Sequence, residues 1–354
     1  MGQSTSSYFP HIKRNPTASP SLLLHLPIDI LLLISDKLDE TPEAIIALGL
    51  TCKAFHTLFI PRAPVLGRRA RDFLLLLLEK DPGVGSHSYF CPLCRKLHHF
   101  SPECGPLTHE HTTDNPEHKY LRPCYDGSSF CLWCGEYSLG YHHARLVMNR
   151  HFYGAPCGLP LRNLNATSVY SSLFPLWKQN WSARIIGDEL FLRATHTADS
   201  DGMSDRAFRS KIDQGLHYYI CNHLNAKYDI DPLKRLRASS YEAGELFAEG
   251  RDVVRSCALC LTDYCTTIER KAARNSVLPG IWDRNQSART RWVITIVAYH
   301  RLGNCRSPLG WKWSSITGTL GPGLGSSRGD RGYPAGFARD KWLASQDSQR
   351  LEDV

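Results

Sequence analysis

Residues 24–38 read LHLPIDILLLISDKL, from Leu24 to Leu38. The stretch is nearly all apolar, but Pro27 and Asp29 interrupt it. A core helix carries one apolar stripe, and a membrane helix carries an unbroken apolar run of about 20 residues. This stretch follows neither pattern. Ile30, Ile34 and Leu38 form one row at helical spacing, and Leu31, Leu32 and Leu33 crowd round it. Downstream, Thr41-Pro42-Glu43 predicts a helix start. Thr41 can cap, Pro42 suits the first helical position, and Glu43 sits at the positive end of the helix dipole. That helix carries Ile45, Leu48, Cys52, Phe55 and Phe59 along one stripe, with Leu50, Ala54 and Leu58 beside it. A helix apolar on most of its surface must be buried on most of its surface. A block of about forty residues cannot do that with its own helices alone. Either the rest of the chain covers it or a partner does.

The chain has 354 residues, 42% hydrophobic and 21% charged, enough for two domains and a sizeable core. The net charge of +8 is spread along the sequence, with short clusters such as Arg68-Arg69-Ala70-Arg71. A nucleic-acid footprint needs its cations focused on one face, so nucleic acid is not the expected partner. The opening MGQSTSSYFPHIKRNP lacks the early apolar core of a secretory signal, and no run of about 18 apolar residues predicts a transmembrane helix. The expected location is intracellular, cytoplasm or nucleus. Gly2 followed by Ser6 fits a loose N-myristoylation pattern, and one acyl chain anchors only marginally.

Thirteen cysteines in a reducing compartment argue for metal ligation over disulfides. Six form Cys-x-x-Cys pairs: Cys91/Cys94, Cys131/Cys134 and Cys257/Cys260. Two of these rhyme, SYFCPLC at 88–94 and SSFCLWC at 128–134, and two such turns can complete a tetrahedron around one structural Zn²⁺. The segment between them supplies rival ligands: His98, His99, Cys104, His109, His111, His118 and Cys124. The alternative is buried, unligated cysteine. A second set is expected from LHYYICNHL at 216–224. Read as a strand, it points Cys221 and His223 to one face, and Cys257 with Cys260 would complete Cys₃His. Against this, Cys257 and Cys260 could line a helix core, and His223 could satisfy a backbone carbonyl. No His-Glu-x-x-His occurs, the ligand spacings do not fit a RING cross-brace, and no pair sits in a thioredoxin-like pattern. No enzymatic activity is expected. RWVITIVAYH at 291–300 predicts a half-buried strand, and WKW at 311–313 reads as a short extended segment with two indoles on one side.

The expected organisation is residues 1–20 disordered, 22–66 a helical block, and 68–315 a Cys/His-rich α+β domain stabilised by zinc, with a helix at 68–80. A Gly/Ser-rich, low-complexity tail, expected disordered apart from a helical patch at 337–345, spans 316–354.

LPIDILLLISDKLDE followed by ALGLTCKAFHTL resembles an F-box. The Leu-Pro opening, the acidic residue two positions on, the apolar helix and the Leu-Thr-Cys-Lys-x-Phe close carry the resemblance. Phe55 stands where Trp is common. YFCPLCRKLHHFSP, ARLVMNRHFYG, YYICNHL, CALCLTDY and YHRLGNCRSP also resemble phrases of fungal F-box-like proteins with a Cys/His-rich region after the F-box. The resemblance implies docking on a Skp-type adaptor of a cullin–RING ubiquitin ligase. The adaptor-facing residues would be Leu26, Pro27, Ile30, Leu31, Ile34, Leu38, Leu48, Leu50 and Phe55. The C-terminal domain would present an unknown protein substrate. The alternative from the residues is a zinc-stabilised nucleic-acid- or protein-binding module whose helical block packs internally.

Overall fold

The computed structural model describes residues 22–63, 65–107, 130–131, 137–170, 177–200, 203–215, 219–225, 249–251, 254–272, 290–318 and 328–352. The expectations for residues 1–20, including Gly2, lie outside them. The chain divides into two compact units between Leu74 and Leu75. It mixes helix and sheet, as the α+β expectation has it.

The first unit is helical. A 3-10 turn (Leu22–His25) leads into α1 (Ile28–Lys37), α2 (Pro42–Gly49) and α3 (Lys53–Phe59), and α4 (Arg68–Lys80) begins in this unit. Pro42 opens α2 as its residue type favours. Thr41 does not cap it: its hydroxyl donates to the Leu38 carbonyl, 3.1 Å. The apolar stripe expected on one helix breaks at Leu50–Cys52 into two, because the Cys52 sulfur accepts from Phe55 N–H and starts α3. Leu31, Ile45, Phe55 and Phe59 are buried together, with Leu26, Leu38, Leu48, Cys52 and Leu58 packed round them.

The second unit is built on a seven-stranded antiparallel sheet. Its path runs β10 (Gly250–Arg251), β12 (Thr262–Ala272), β13 (Thr290–Gly303), β7 (Glu189–Asp199), β6 (Trp177–Ile186) and β5 (Ala166–Tyr170), and β11 (Arg255–Ser256) also pairs with β12. Strand β13 is the expected strand of residues 291–300, longer at its C-terminal end. Alternation gives the sheet two buried faces. Trp181, Ala194, His196, Ile294, Ile296 and Ala298 belong to the main core, which they share with Leu146 and Val147 of α6 (Tyr141–Tyr153). Phe191 and Tyr299 face the other way and meet Ala338 and Trp342 of α9 (Phe337–Glu352).

Three expectations are corrected here. Residues 311–313 are not extended: they open α8 (Trp311–Thr317), with Trp313 buried and Gly318 at φ +69° ending the helix in a left-handed turn. Residues 216–224 are not one strand: β8 (Tyr219–Cys221) and β9 (Leu224–Asn225) form a tight hairpin. The tail is not structureless from 316. Residues 328–345 carry the buried Arg328, Ala338 and Trp342, and α9 runs past the patch expected at 337–345. Composition missed this because the anchor lies elsewhere in the chain. The fully buried Asp263 carboxylate accepts from Arg328 Nη1 (2.7 Å) and from the N–H groups of Gly336 (3.2 Å), Ala338 (2.6 Å) and Arg339 (3.1 Å). It satisfies the orphan donors at the start of α9 and complements that helix's dipole.

Candidate metal centres

The most complete centre joins two hairpin turns. Cys221 ends β8 and His223 lies in the turn before β9. Cys257 and Cys260 lie in the loop between β11 and β12, with Ala258 and Leu259 exposed at its tip. One ligand atom from each of Cys221, His223, Cys257 and Cys260 lies within 4.8 Å of the others. The turn between Cys221 and His223, in place of strand alternation, brings that pair together, and their Sγ and Nδ1 atoms are 3.9 Å apart. The Cys257 loop curls round its own sulfur, with Leu259 N–H donating to Cys257 Sγ at 3.4 Å. Cys257 and Cys260 are in this loop and not on a helix.

The electrostatics of the three sulfurs suit a cation. Burial pushes the Cys221 and Cys260 thiols up. Cys257 is held down by hydrogen bonding with the Cys221 and Cys260 sulfurs. A divalent ion would support three thiolates at once, since its charge replaces the thiol protons.

A second set joins Cys91, Cys94 and His98. Cys91 ends β1 (Ser88–Cys91), Cys94 sits in the turn, and His98 projects from β2 (Lys96–His99). Arg95 closes the turn with φ 55° and donates its N–H to the Cys91 carbonyl, 2.8 Å. Cys94 Sγ lies 2.7 Å from His98 Nε2. Burial, with Lys96 and His99 nearby, lowers the His98 pKa, which favours the neutral form of the ring that can ligate. The sequence had offered His98 as a rival ligand. Of the expected partner knuckle, Cys131 is described only through its backbone, in β3 (Phe130–Cys131), and Cys134 falls outside the described residues. His99 bonds Ser88 Oγ instead, 3.1 Å.

A third set, Cys104, His142 and His143, fits a metal least well. His143 Nδ1 accepts the Gly140 N–H at 3.0 Å, so the single proton of the neutral ring sits on Nε2. Ligation through either nitrogen would have to break that arrangement.

In the first unit, the residues expected to face an adaptor divide by burial. Leu31 and Phe55 do not face outward: they fill the unit's own core, and Leu26, Leu38 and Leu48 pack against it. Pro27, Ile30 and Leu50 are exposed and Ile34 is half-buried. Ile28 and Leu33, which the sequence had not singled out as anchors, are more than half exposed, at 59% and 57%. At about 100° per residue, Ile30 and Leu33 share one side of α1, turned away from Leu31, while Ile34 lies between that side and Leu38.

No helix among the described residues is long and apolar enough to cross a membrane. Comparison of the chain with protein-family models, curated proteins and solved structures finds no match.

Proposed function

We propose that the chain is an F-box substrate receptor. Its N-terminal helical unit docks a Skp-type adaptor of a cullin–RING ubiquitin ligase, and its C-terminal unit presents a protein substrate. Ubiquitin transfer would belong to an enzyme held elsewhere in the assembly, so this chain needs no catalytic residue.

One observation carries the reading. Pro27, Ile30, Leu33 and Leu50 stay exposed after Leu31, Ile45, Phe55 and Phe59 have filled the core of the same small unit. Exposed apolar residues gathered on one helix side, as on α1, mark an interaction surface more often than a solvated one. The F-box-like order of residues names the occupant. The C-terminal unit contributes a scaffold with Zn²⁺ at Cys221, His223, Cys257 and Cys260. Three sulfurs and one imidazole are a structural-zinc donor set. Metal bonds of about 2.0–2.3 Å place tetrahedral ligand atoms on the order of 3.3–3.8 Å apart, inside the observed limit.

The test is co-purification of the full chain with a Skp-type adaptor. Ile30→Asp combined with Leu33→Asp should abolish capture and leave the melting temperature near wild type, because neither side chain is in the core. Hot-spot losses of about 2 kcal/mol or more each correspond to roughly thirtyfold in affinity. Wild-type protein that ignores the adaptor, or a double variant that still binds it, overturns the reading. The zinc-stabilised binding module then leads.

A further inference from the structure

The Cys260 sulfur is not isolated behind its loop. Thr262 Oγ1 lies 3.2 Å from Cys260 Sγ, and the same oxygen lies 3.0 Å from His300 Nδ1. All three side chains are fully buried. Cys260 and Thr262 flank the start of β12, and His300 pairs opposite Thr262 on β13. The metal loop is therefore joined to the middle of the sheet by a chain of three polar atoms.

Proton counting gives this chain a direction. Thr262 has one hydroxyl proton. In a metal-free chain Cys260 keeps its own proton, so the bonds can run either way. Cys260 S–H can donate to Thr262, which donates to His300 Nδ1, or the order can reverse. A metal-bound thiolate has no proton and can only accept. Thr262 must then donate to Cys260, and its oxygen is left to accept. His300 must donate to it from Nδ1. Burial holds the His300 pKa down to about 3, so the ring is neutral and carries one proton.

We propose that Thr262 is a positioning residue for the metal centre: it donates its hydroxyl proton to the ligating Cys260 sulfur and thereby fixes His300 as the Nδ1–H tautomer whenever the metal is bound. The inference rests on the Zn²⁺ reading of the Cys221, His223, Cys257 and Cys260 set. It adds an outer layer to that set and ties metal occupancy to the protonation pattern of the central sheet. Outer partners of this kind orient ligands and tune their basicity, and their loss typically costs about 10–100-fold in metal affinity.

The test uses full-length protein labelled with ¹⁵N-histidine and purified with its metal, with zinc content measured on the same sample. Long-range ¹⁵N–¹H spectra should place the His300 ring proton on Nδ1. Thr262→Val should lose zinc to a chromogenic chelator at a concentration about 10–100-fold lower than wild type. Thr262→Ser, which restores the donor, should recover most of the difference. A zinc-loaded protein with His300 protonated at Nε2 overturns the inference alone, as does a folded Thr262→Val variant that holds zinc as tightly as wild type. Protein purified without zinc overturns the zinc reading, and the inference with it.

Discussion

Asp263 fixes α9 of the second unit to the sheet. It is fully buried on β12 and accepts from Ser256 Oγ at 2.5 Å as well as from Arg328 and the first turn of α9. A buried carboxylate with five donors is strongly satisfied, and its guanidinium partner is only 4% exposed. Removing one side of such a pair leaves the other charged, buried and unpaired. Asp263→Ala should therefore destabilise the second unit by about 3–5 kcal/mol, measured by urea unfolding. A loss under about 1 kcal/mol would show that water reaches Arg328 and repairs it. Nothing in the sequence distinguishes this residue: one Asp inside CALCLTDY has no spacing or partner motif. The cysteines beside it were legible because Cys-x-x-Cys is a local pattern. Its donors on Arg328 and at the start of α9 lie about 65 to 76 positions away, and a one-dimensional pattern does not carry that information.

At the scale of elements, the sheet shows what periodicity delivers and what it does not. Strand β13 could be read from RWVITIVAYH because alternating β-branched and aromatic residues are a property of the strand itself. The β8–β9 hairpin and α8 could not, because both are short. A three-residue strand or seven-residue helix takes its conformation from what packs on it, and Trp313 takes its from the core. Two strands also carry an unusual load. His196 on β7 and His300 on β13 are both fully buried in the sheet. Burial, with His300 close to His196, holds the His196 pKa down to about 3, and burial does the same for His300. Their unfolded values are near 6.5. Between about pH 6.5 and 3 these two histidines together bind up to two more protons in the unfolded chain than in the folded one, and their contribution makes stability fall as pH drops through this window. Each extra proton steepens the fall by about 1.4 kcal/mol per pH unit. Urea midpoints at pH 7, 6 and 5 should decline accordingly, and His196→Gln should remove about one proton from the slope. A variant with an unchanged slope would show that this histidine is not the titrating group.

At the scale of the whole second unit, the metal loop and the C-terminal helix share one support. The loop of Cys257 and Cys260 would be held to the β8–β9 hairpin by the metal. The same loop is gripped by the tail: Arg328 N–H donates to the Ala258 carbonyl at 2.9 Å, and Arg328 Nη1 reaches the Thr262 carbonyl at 3.4 Å. Gly336 N–H donates to Ser256 Oγ, 3.0 Å, just before the loop. Beyond these bonds α9 packs Ala338, Trp342 and Leu343 on the far face of the sheet, and Arg184 stacks on Trp342 and donates to Ser345 Oγ. The start of such a helix opens when the loop that anchors it loosens. Stripping the metal should leave three buried sulfurs without the cation they share, and the loop should relax to solvate them. The tail should then be the first part of the second unit to open. Limited trypsin treatment with a strong chelator should produce early cuts at Arg328, Arg331, Arg339 and Lys341, while the strands β6, β7, β12 and β13 stay resistant. Returning zinc should suppress the cuts. Unchanged tail protection in protein shown by elemental analysis to have lost its metal would mean that Asp263 alone holds α9, with the metal loop folded independently of its ion.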